Sequence, residues 1–222
     1  MDWTALLLSL RLGAVTVLIL LPVAVLAGRW LAYRPFRGKA LVEAALALPL
    51  VLPPTVIGFY LLTAFGLGSP LGQLWQKLFG HPLAFSFSGL LAASVIVNLP
   101  FAIQPAQRAF EQIPRSVRDA AAVSGLSPSQ ALWRIDLPLA WPGIVTGMTL
   151  TFAHTLGEFG VVLMVGGSIP GETRTAAIAI YDRVQAFDDR GAALLSAVLL
   201  LVSIVALTLT SLLARLKGGR RG

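Results

Sequence analysis

An all-α membrane protein of five spans is the fold class this sequence predicts, and three observations predict it. Charged residues are 12% of the 222 and hydrophobic ones 56%, where a soluble domain carries about twice that charged share. The apolar residues gather in blocks longer than the roughly 18 that a membrane-spanning helix needs, so lipid is the solvent for most of the chain. Lysines and arginines flank those blocks, which explains the net charge of +7 as membrane orientation and leaves no reason to expect a nucleic-acid partner. No linker or low-complexity stretch divides the chain, which reads as a single transmembrane domain over 1–222. The absence of cysteine excludes a disulfide framework and a thiolate metal site.

The first span is read at 6–27, interrupted by Pro22 and carrying Arg11 near its outer end. A cleaved signal peptide is the competing reading, with Ala27-Gly28 as its small-residue site. A leader needs basic residues, however, and Asp2 is the only charge before Arg11; the apolar run also exceeds a typical h-region, so a retained span is expected. Arg29 to Lys39 follows as a short loop with four basic residues. The second span, 40–67, is broken by Pro49, Pro53 and Pro54. Such prolines mark either a packing kink or a helix lining a pathway, since neighbouring helices or a cavity must satisfy the freed carbonyls. Pro53, Pro54 and Thr55 are therefore candidates for the path. Glu43 is expected to pair with Lys39 or Arg37. Residues 68–85 form an outer loop with an amphipathic piece around 71–79, and His81 there reads as solvated.

The third span, 87–106, holds Asn98 at its middle, where an amide either bonds a neighbouring helix or lines a pore. Spans at 143–165 and 191–214 follow, separated by a polar loop, and the tail from Arg215 is basic. Between the third and fourth spans lies a long interior stretch without a span of its own. Pro114 opens a first short helix and Gly125 stands just past its end. Ser127 caps a second helix with Pro128 in its first turn, and Leu137-Pro138 is expected to stop it. Twelve of the seventeen Lys and Arg residues fall on the 29–39 loop, this stretch and the tail. That bias predicts a cytoplasmic location for all three, with the N-terminus outside and the C-terminus inside.

No catalytic constellation is visible, and no enzyme activity is expected of this chain. There is no GxxxxGK[ST] phosphate loop, and two distant histidines make no metal cluster. The strongest intramembrane signal is His154 with Glu158. They lie four residues apart on one helix face, and an acid in lipid costs roughly 2.5–3.5 kcal/mol at mid-span unless it faces protein or water. A structural pair and a gate or lining of a transport path both fit them. Glu172 and Arg174, in a turn just outside the fourth span, are candidates for docking an extracytoplasmic partner.

Asp119-Ala120-Ala121, then Gly125, Ile135 and Leu137-Pro138 at fixed spacing, resemble the EAA signature of type I ABC importer permeases, EAA-x3-G-x9-I-x-LP. Asp119 replaces the usual Glu with like charge. Leu48-Pro49-Leu50-Val51-Leu52-Pro53-Pro54, Leu156-Gly157-Glu158-Phe159-Gly160 and Ile169-Pro170-Gly171-Glu172-Thr173-Arg174-Thr175 are similar to the molybdate permeases of that family, with sulfate and thiosulfate permeases the nearest relatives. The resemblance implies the type I permease fold and coupling helices at 115–137 seated on a cytoplasmic ATPase. It implies a homodimer in the inner membrane with two ATPase subunits and an extracytoplasmic molybdate-binding protein. No cofactor is expected in this chain, ATP and Mg residing on the partner; molybdate and tungstate are the implied substrates. Sulfate, thiosulfate or another oxyanion is the alternative, and a secondary transporter or channel without an ATPase is the remote one.

Overall fold

Asp2 starts the first helix by accepting a hydrogen bond from Ala5 N at 3.0 Å. Helix α1 then runs over Trp3–Tyr33, through Pro22. Its 31 residues measure about 46 Å at ~1.5 Å per residue, enough for the hydrocarbon core and both interfaces. The computed structural model describes residues 2–218, and the end of the basic tail, 219–222, lies outside the described residues.

The second apolar segment is two helices, α2 (Lys39–Val51) and α3 (Pro54–Phe65), bent by 108°. Two successive prolines explain the break: neither Pro53 nor Pro54 has an N–H to donate, and Leu52, in extended conformation, adopts the backbone a residue before proline prefers. Ser69 caps α4 (Pro70–Phe79), the expected amphipathic piece. Ser86 caps α5 (Phe87–Glu111), which continues past Pro100 and Pro105.

The interior stretch forms α6 (Arg115–Val123) and α7 (Pro128–Ala131). Gly125, at φ +73°, supplies the left-handed residue of a helix-ending motif: Leu126 N bonds Ala121 O at 3.2 Å and Gly125 N bonds Ala122 O at 3.0 Å. Ser127 and Gln130 form a reciprocal capping box that starts α7.

The expected stop at Leu137-Pro138 is wrong. α7 runs on through a π-helical turn, Leu132–Asp136, into α8 (Leu137–Gly157), so the fourth apolar segment begins well before 143. In the wider turn Leu137 N bonds Leu132 O, five residues back. Pro138 thus falls among the first residues of the following α segment, where its missing N–H does no harm. Trp141-Pro142-Gly143 likewise lies inside the helix. α8 bends by 61° into α9 (Gly160–Gly166). The following loop, read as polar, contains α10 (Ala176–Gln185), capped by Thr175. The last helix is α11 (Asp189–Gly218).

Helices α1, α5 and α8 form the centre, with Leu20, Ala106, Phe110, Ala140 and Ile144 buried between them. Small residues allow this: a Cβ on Gly28 would stand 3.0 Å from the backbone nitrogen of Gln107, so the backbones of α1 and α5 come close there. α3 and α9 pack together on α5 through Phe65, Val161 and Val165. Outward-facing leucines and isoleucines on α11, among them Leu200, Leu201 and Ile204, suit a helix facing lipid. α2 has no buried residue at all. An apolar cleft of about 470 Å³ opens in the crook between α2 and α3, lined by Val42, Leu46, Pro49, Leu52 and Tyr60.

The bundle has two distinct ends. At one, Arg29 meets Asp136 and Arg118 lies over Tyr33, so the ends of α1 and the α6–α7 stretch come together. At the other, Ala176 N donates to Ser9 Oγ at 2.8 Å and Phe85 N to Val165 O at 2.9 Å, which joins α10 to α1 and the start of α5 to α9.

Candidate functional site

Two loci bring the predicted residues together, and they lie at different depths. The first is the α6–α7 stretch. Ala121 is buried, Ile135 and Leu137 are half-buried, and Asp119, Ala120, Gly125 and Pro138 are exposed. The motif therefore presents one face to the bundle and one away from it. On the outward side stand two apolar side chains that sequence reasoning did not single out, Val123 at 89% exposure and Trp133 at 71%. Exposed apolar groups on a charged protrusion suit a partner surface.

Four side chains tie this stretch to the spans. Arg29 Nε donates to Asp136 Oδ2 at 2.7 Å and Tyr33 Oη donates to Asp136 Oδ1 at 3.3 Å. The Arg118 guanidinium lies 3.7 Å from the centre of the Tyr33 ring, a cation–π contact. Asp136 is only 2% exposed, and Arg29 is the cation paired with it. Arg118, Tyr33, Asp136 and Arg29 thus form an unbroken run of contacts from α6 to α1 and to the turn that leads into α8. Asp136 escaped sequence reasoning because it sits in the spacer of the motif, two residues after Arg134, with no local feature that marks it.

Beside this cluster, Gln107 Nε2 donates to Glu43 Oε1 at 2.7 Å and to Glu111 Oε1 at 2.9 Å. Lys39 Nζ lies 3.7 Å from Glu43, the expected pair. With Gln104 and Arg108 they line a polar cleft of about 400 Å³ between α2 and α5.

The second locus is where two helix breaks meet. A Cβ on Gly160 would stand 2.7 Å from Pro54 Cβ, and one on Gly58 would stand 2.7 Å from Met164 Cβ. The start of α3 thus crosses the start of α9 as closely as glycine permits. Gly157, by contrast, has no such neighbour within 4 Å. Glu158 stands in the α8–α9 break; its Oε1 accepts from Val161 N at 2.8 Å, closing the first turn of α9. Its Oε2 lies 3.7 Å from His154 Nε2. On the other side of the ring, His154 Nδ1 lies 3.1 Å from Asn98 Oδ1, and Phe101 stacks on the ring at 4.2 Å. Asn98 is fully buried and also donates to Thr155 Oγ1 on α8 at 3.1 Å.

The path candidates Pro54, Glu158, His154 and Asn98 are therefore neighbours; Pro53 and Thr55 flank Pro54, and all three are exposed at the start of α3. At the far end, Arg174 is held within the chain: its Nε lies 3.1 Å from Asp182 Oδ2 and its Nη1 3.6 Å from Asp2 Oδ2. Glu172 is exposed.

An arrangement of broken spans with a protruding helix pair is the fold of ABC transporter membrane subunits. A chain of a bacterial ABC transporter that imports the acidic polysaccharide alginate superposes with a TM-score of 0.72, over 98% of this chain and 79% of that one, at 17% identity. Residues 21–218 match the family described as binding-protein-dependent transport system inner membrane component, and the chain belongs to that family. It is a multi-pass inner-membrane transport component, not an enzyme. The molybdenum transport system permease protein ModB of Azotobacter vinelandii is 44% identical over 98% of this chain and 96% of its own. The protein of that name in Escherichia coli K12 is 36% identical over 100% and 97%. A probable sulfate transport system permease protein, cysT of Chlorella vulgaris, is 34% identical over 78% of this chain and 65% of its own.

Proposed function

We propose that this chain is the membrane-spanning permease subunit of an ABC importer that carries molybdate, and with it tungstate, into the cytoplasm. The observation that carries the substrate is the likeness to molybdenum permeases along nearly the whole of both chains. The sulfate relative matches a smaller share of each chain, which makes sulfate the second reading. ATP is hydrolysed with Mg on a separate subunit. Two copies of this chain enclose the path, two ATPases grip the two 115–137 stretches, and an extracytoplasmic binding protein delivers the oxyanion to the opposite end. The N-terminus lies outside and the C-terminus in the cytoplasm, a reading that the placement of Lys and Arg supports.

In the working cycle, ATP binding draws the ATPases together and moves the two coupling stretches as rigid bodies. The Arg118–Tyr33–Asp136–Arg29 cluster passes that motion to α1 and α8, and the breaks at Pro53-Pro54 and Glu158 let the outer halves of the spans turn separately from the inner halves. The loaded binding protein shifts the same equilibrium by preferring one state. The test is ATP hydrolysis by the reconstituted complex with its binding protein loaded in turn with molybdate, tungstate and sulfate. Stimulation by the first two alone supports the reading. Stimulation by sulfate keeps the importer and replaces its substrate, and a chain that assembles with no ATPase overturns the class.

A further inference from the structure

Among the described residues, Arg108 is the only charged one that lines the cleft between α5 and α8. The cleft holds about 470 Å³ and lies at the end of the bundle that carries the α6–α7 stretch, since Pro114 is part of its wall. Small residues make its floor: a Cβ on Gly143 would collide with Ala109 Cβ, so the two helices touch there. Arg108 and Gln112 on α5, and Leu139 and Thr146 on α8, stand along its sides. Arg108, Gln112 and Thr146 are exposed, so the cleft is open in the single chain.

Nothing within the chain uses the Arg108 charge. Among the described residues no carboxylate pairs with it. Arg108 also reaches the cleft between α2 and α5, where Glu43 and Glu111 stand. Those two carboxylates take the Gln107 amide instead, at 2.7 and 2.9 Å. On the α8 side, Thr146 Oγ1 donates to Pro142 O at 2.9 Å. The guanidinium and the Gln112 amide are therefore the side-chain donors left to the α5–α8 cleft. A guanidinium presents its donors as a flat fork that holds two oxygens of a tetrahedral oxyanion at once. With no acid in that wall, an approaching dianion meets attraction alone.

The same face continues towards the helix breaks. Phe101 stands seven residues before Arg108 on α5, and His154 eight after Thr146 on α8, so each pair shares a helix face about 10–12 Å apart. Phe101 stacks on His154 at 4.2 Å and joins the two helices at that far end. Lipid-facing α11 turns out only apolar side chains such as Leu200, Leu201 and Ile204. A guanidinium, an amide and a hydroxyl along one groove suit water instead.

We propose that the α5–α8 groove is the inner part of the oxyanion path, and that Arg108 binds the tetrahedral dianion there through a forked, charge-assisted contact on its way to the cytoplasm. The proposal deepens the importer reading above and rests on it.

The test uses the full complex with its binding protein. In proteoliposomes, Arg108→Gln lowers molybdate uptake per ATP hydrolysed about tenfold, the loss of one charge-assisted contact. An anion not drawn down the groove stays behind when the cycle resets. Moving the cation one turn along the same cleft, with Arg108→Gln and Gln112→Arg together, restores the ratio to within about threefold. Placing it on the wall of the α2–α5 cleft, with Arg108→Gln and Gln104→Arg, does not. An arginine that merely sets membrane orientation shows no such dependence on which cleft holds the charge. Because the chain lacks cysteine, Thr146→Cys beside the unaltered Arg108 gives a direct reading. Molybdate slows maleimide labelling of position 146 at least about threefold, and Arg108→Gln removes that protection. Full uptake per ATP with Arg108→Gln overturns the proposal. So does a thiol at position 146 that molybdate leaves equally reactive with and without ATP, which stays decisive if Arg108→Gln fails to assemble. Protection by an anionic phospholipid but not by molybdate gives the cleft to the membrane and overturns it as well. Loss of oxyanion-stimulated hydrolysis in the unaltered complex is a separate failure, that of the importer reading.

Discussion

Glu158 uses its two oxygens for two purposes, one on Val161 N and one toward His154. Glu158→Ala removes both, at a local cost of about 0.5–2 kcal/mol for the lost helix-start bond. It should alter transport or the basal ATPase rate in a complex that still assembles; normal transport by that variant would make Glu158 purely structural. Asp136 makes the sharper stability case. Asp136→Ala leaves the partly buried Arg29 without its counter-charge and should cost on the order of 1–3 kcal/mol, below the range for a fully buried pair because Arg29 reaches solvent. Thermal unfolding in detergent reads the loss, and an unchanged midpoint would dismiss the cluster as a link. At this scale the sequence was legible wherever a polar group stood alone in a span: Asn98, His154 and Glu158 each declared a partner by being there. It was illegible at Asp136, whose partners are more than a hundred residues away.

Elements were legible where the local chemistry had one outcome. The Gly125 corner, the Ser127 cap and the tandem proline break follow from which residues can adopt which backbone. Gly125→Pro should leave membrane insertion intact and weaken ATPase association, since proline cannot take φ +73° and removes the N–H that Ala122 accepts. Undiminished co-purification of the ATPase would count against the coupling role. Proline elsewhere had several outcomes. Pro22, Pro49, Pro100, Pro105 and Pro142 all lie inside helices, and Pro138 follows a π turn that no local pattern announces. Neighbouring helices decide whether a proline bends, breaks or merely sits, and that information is distant in the chain. The same holds for α10, whose burial against α1 and α11 makes a helix of a loop that reads as polar.

For the whole molecule, the apolar segments were legible because lipid imposes them: among the described residues three helices are long and apolar enough to cross a membrane, or up to five if each bent pair is one span. The depth of the breaks and the meeting of α3 with α9 depended on packing. Sidedness can be tested directly, since the chain lacks cysteine and any introduced thiol is unique. With Ser124→Cys and Glu172→Cys in separate chains, an impermeant maleimide applied from outside should label position 172 and spare 124, and inverted vesicles should reverse this. The opposite pattern would turn the permease over. A last consequence follows from α2, which buries none of its residues within a single chain and flanks an open apolar crook. A copy made without its partners presents that surface to the proteases that patrol the membrane. Cells that synthesise it in excess should therefore clear the surplus, and the amount of permease that persists should follow the scarcest subunit rather than the rate of its own translation.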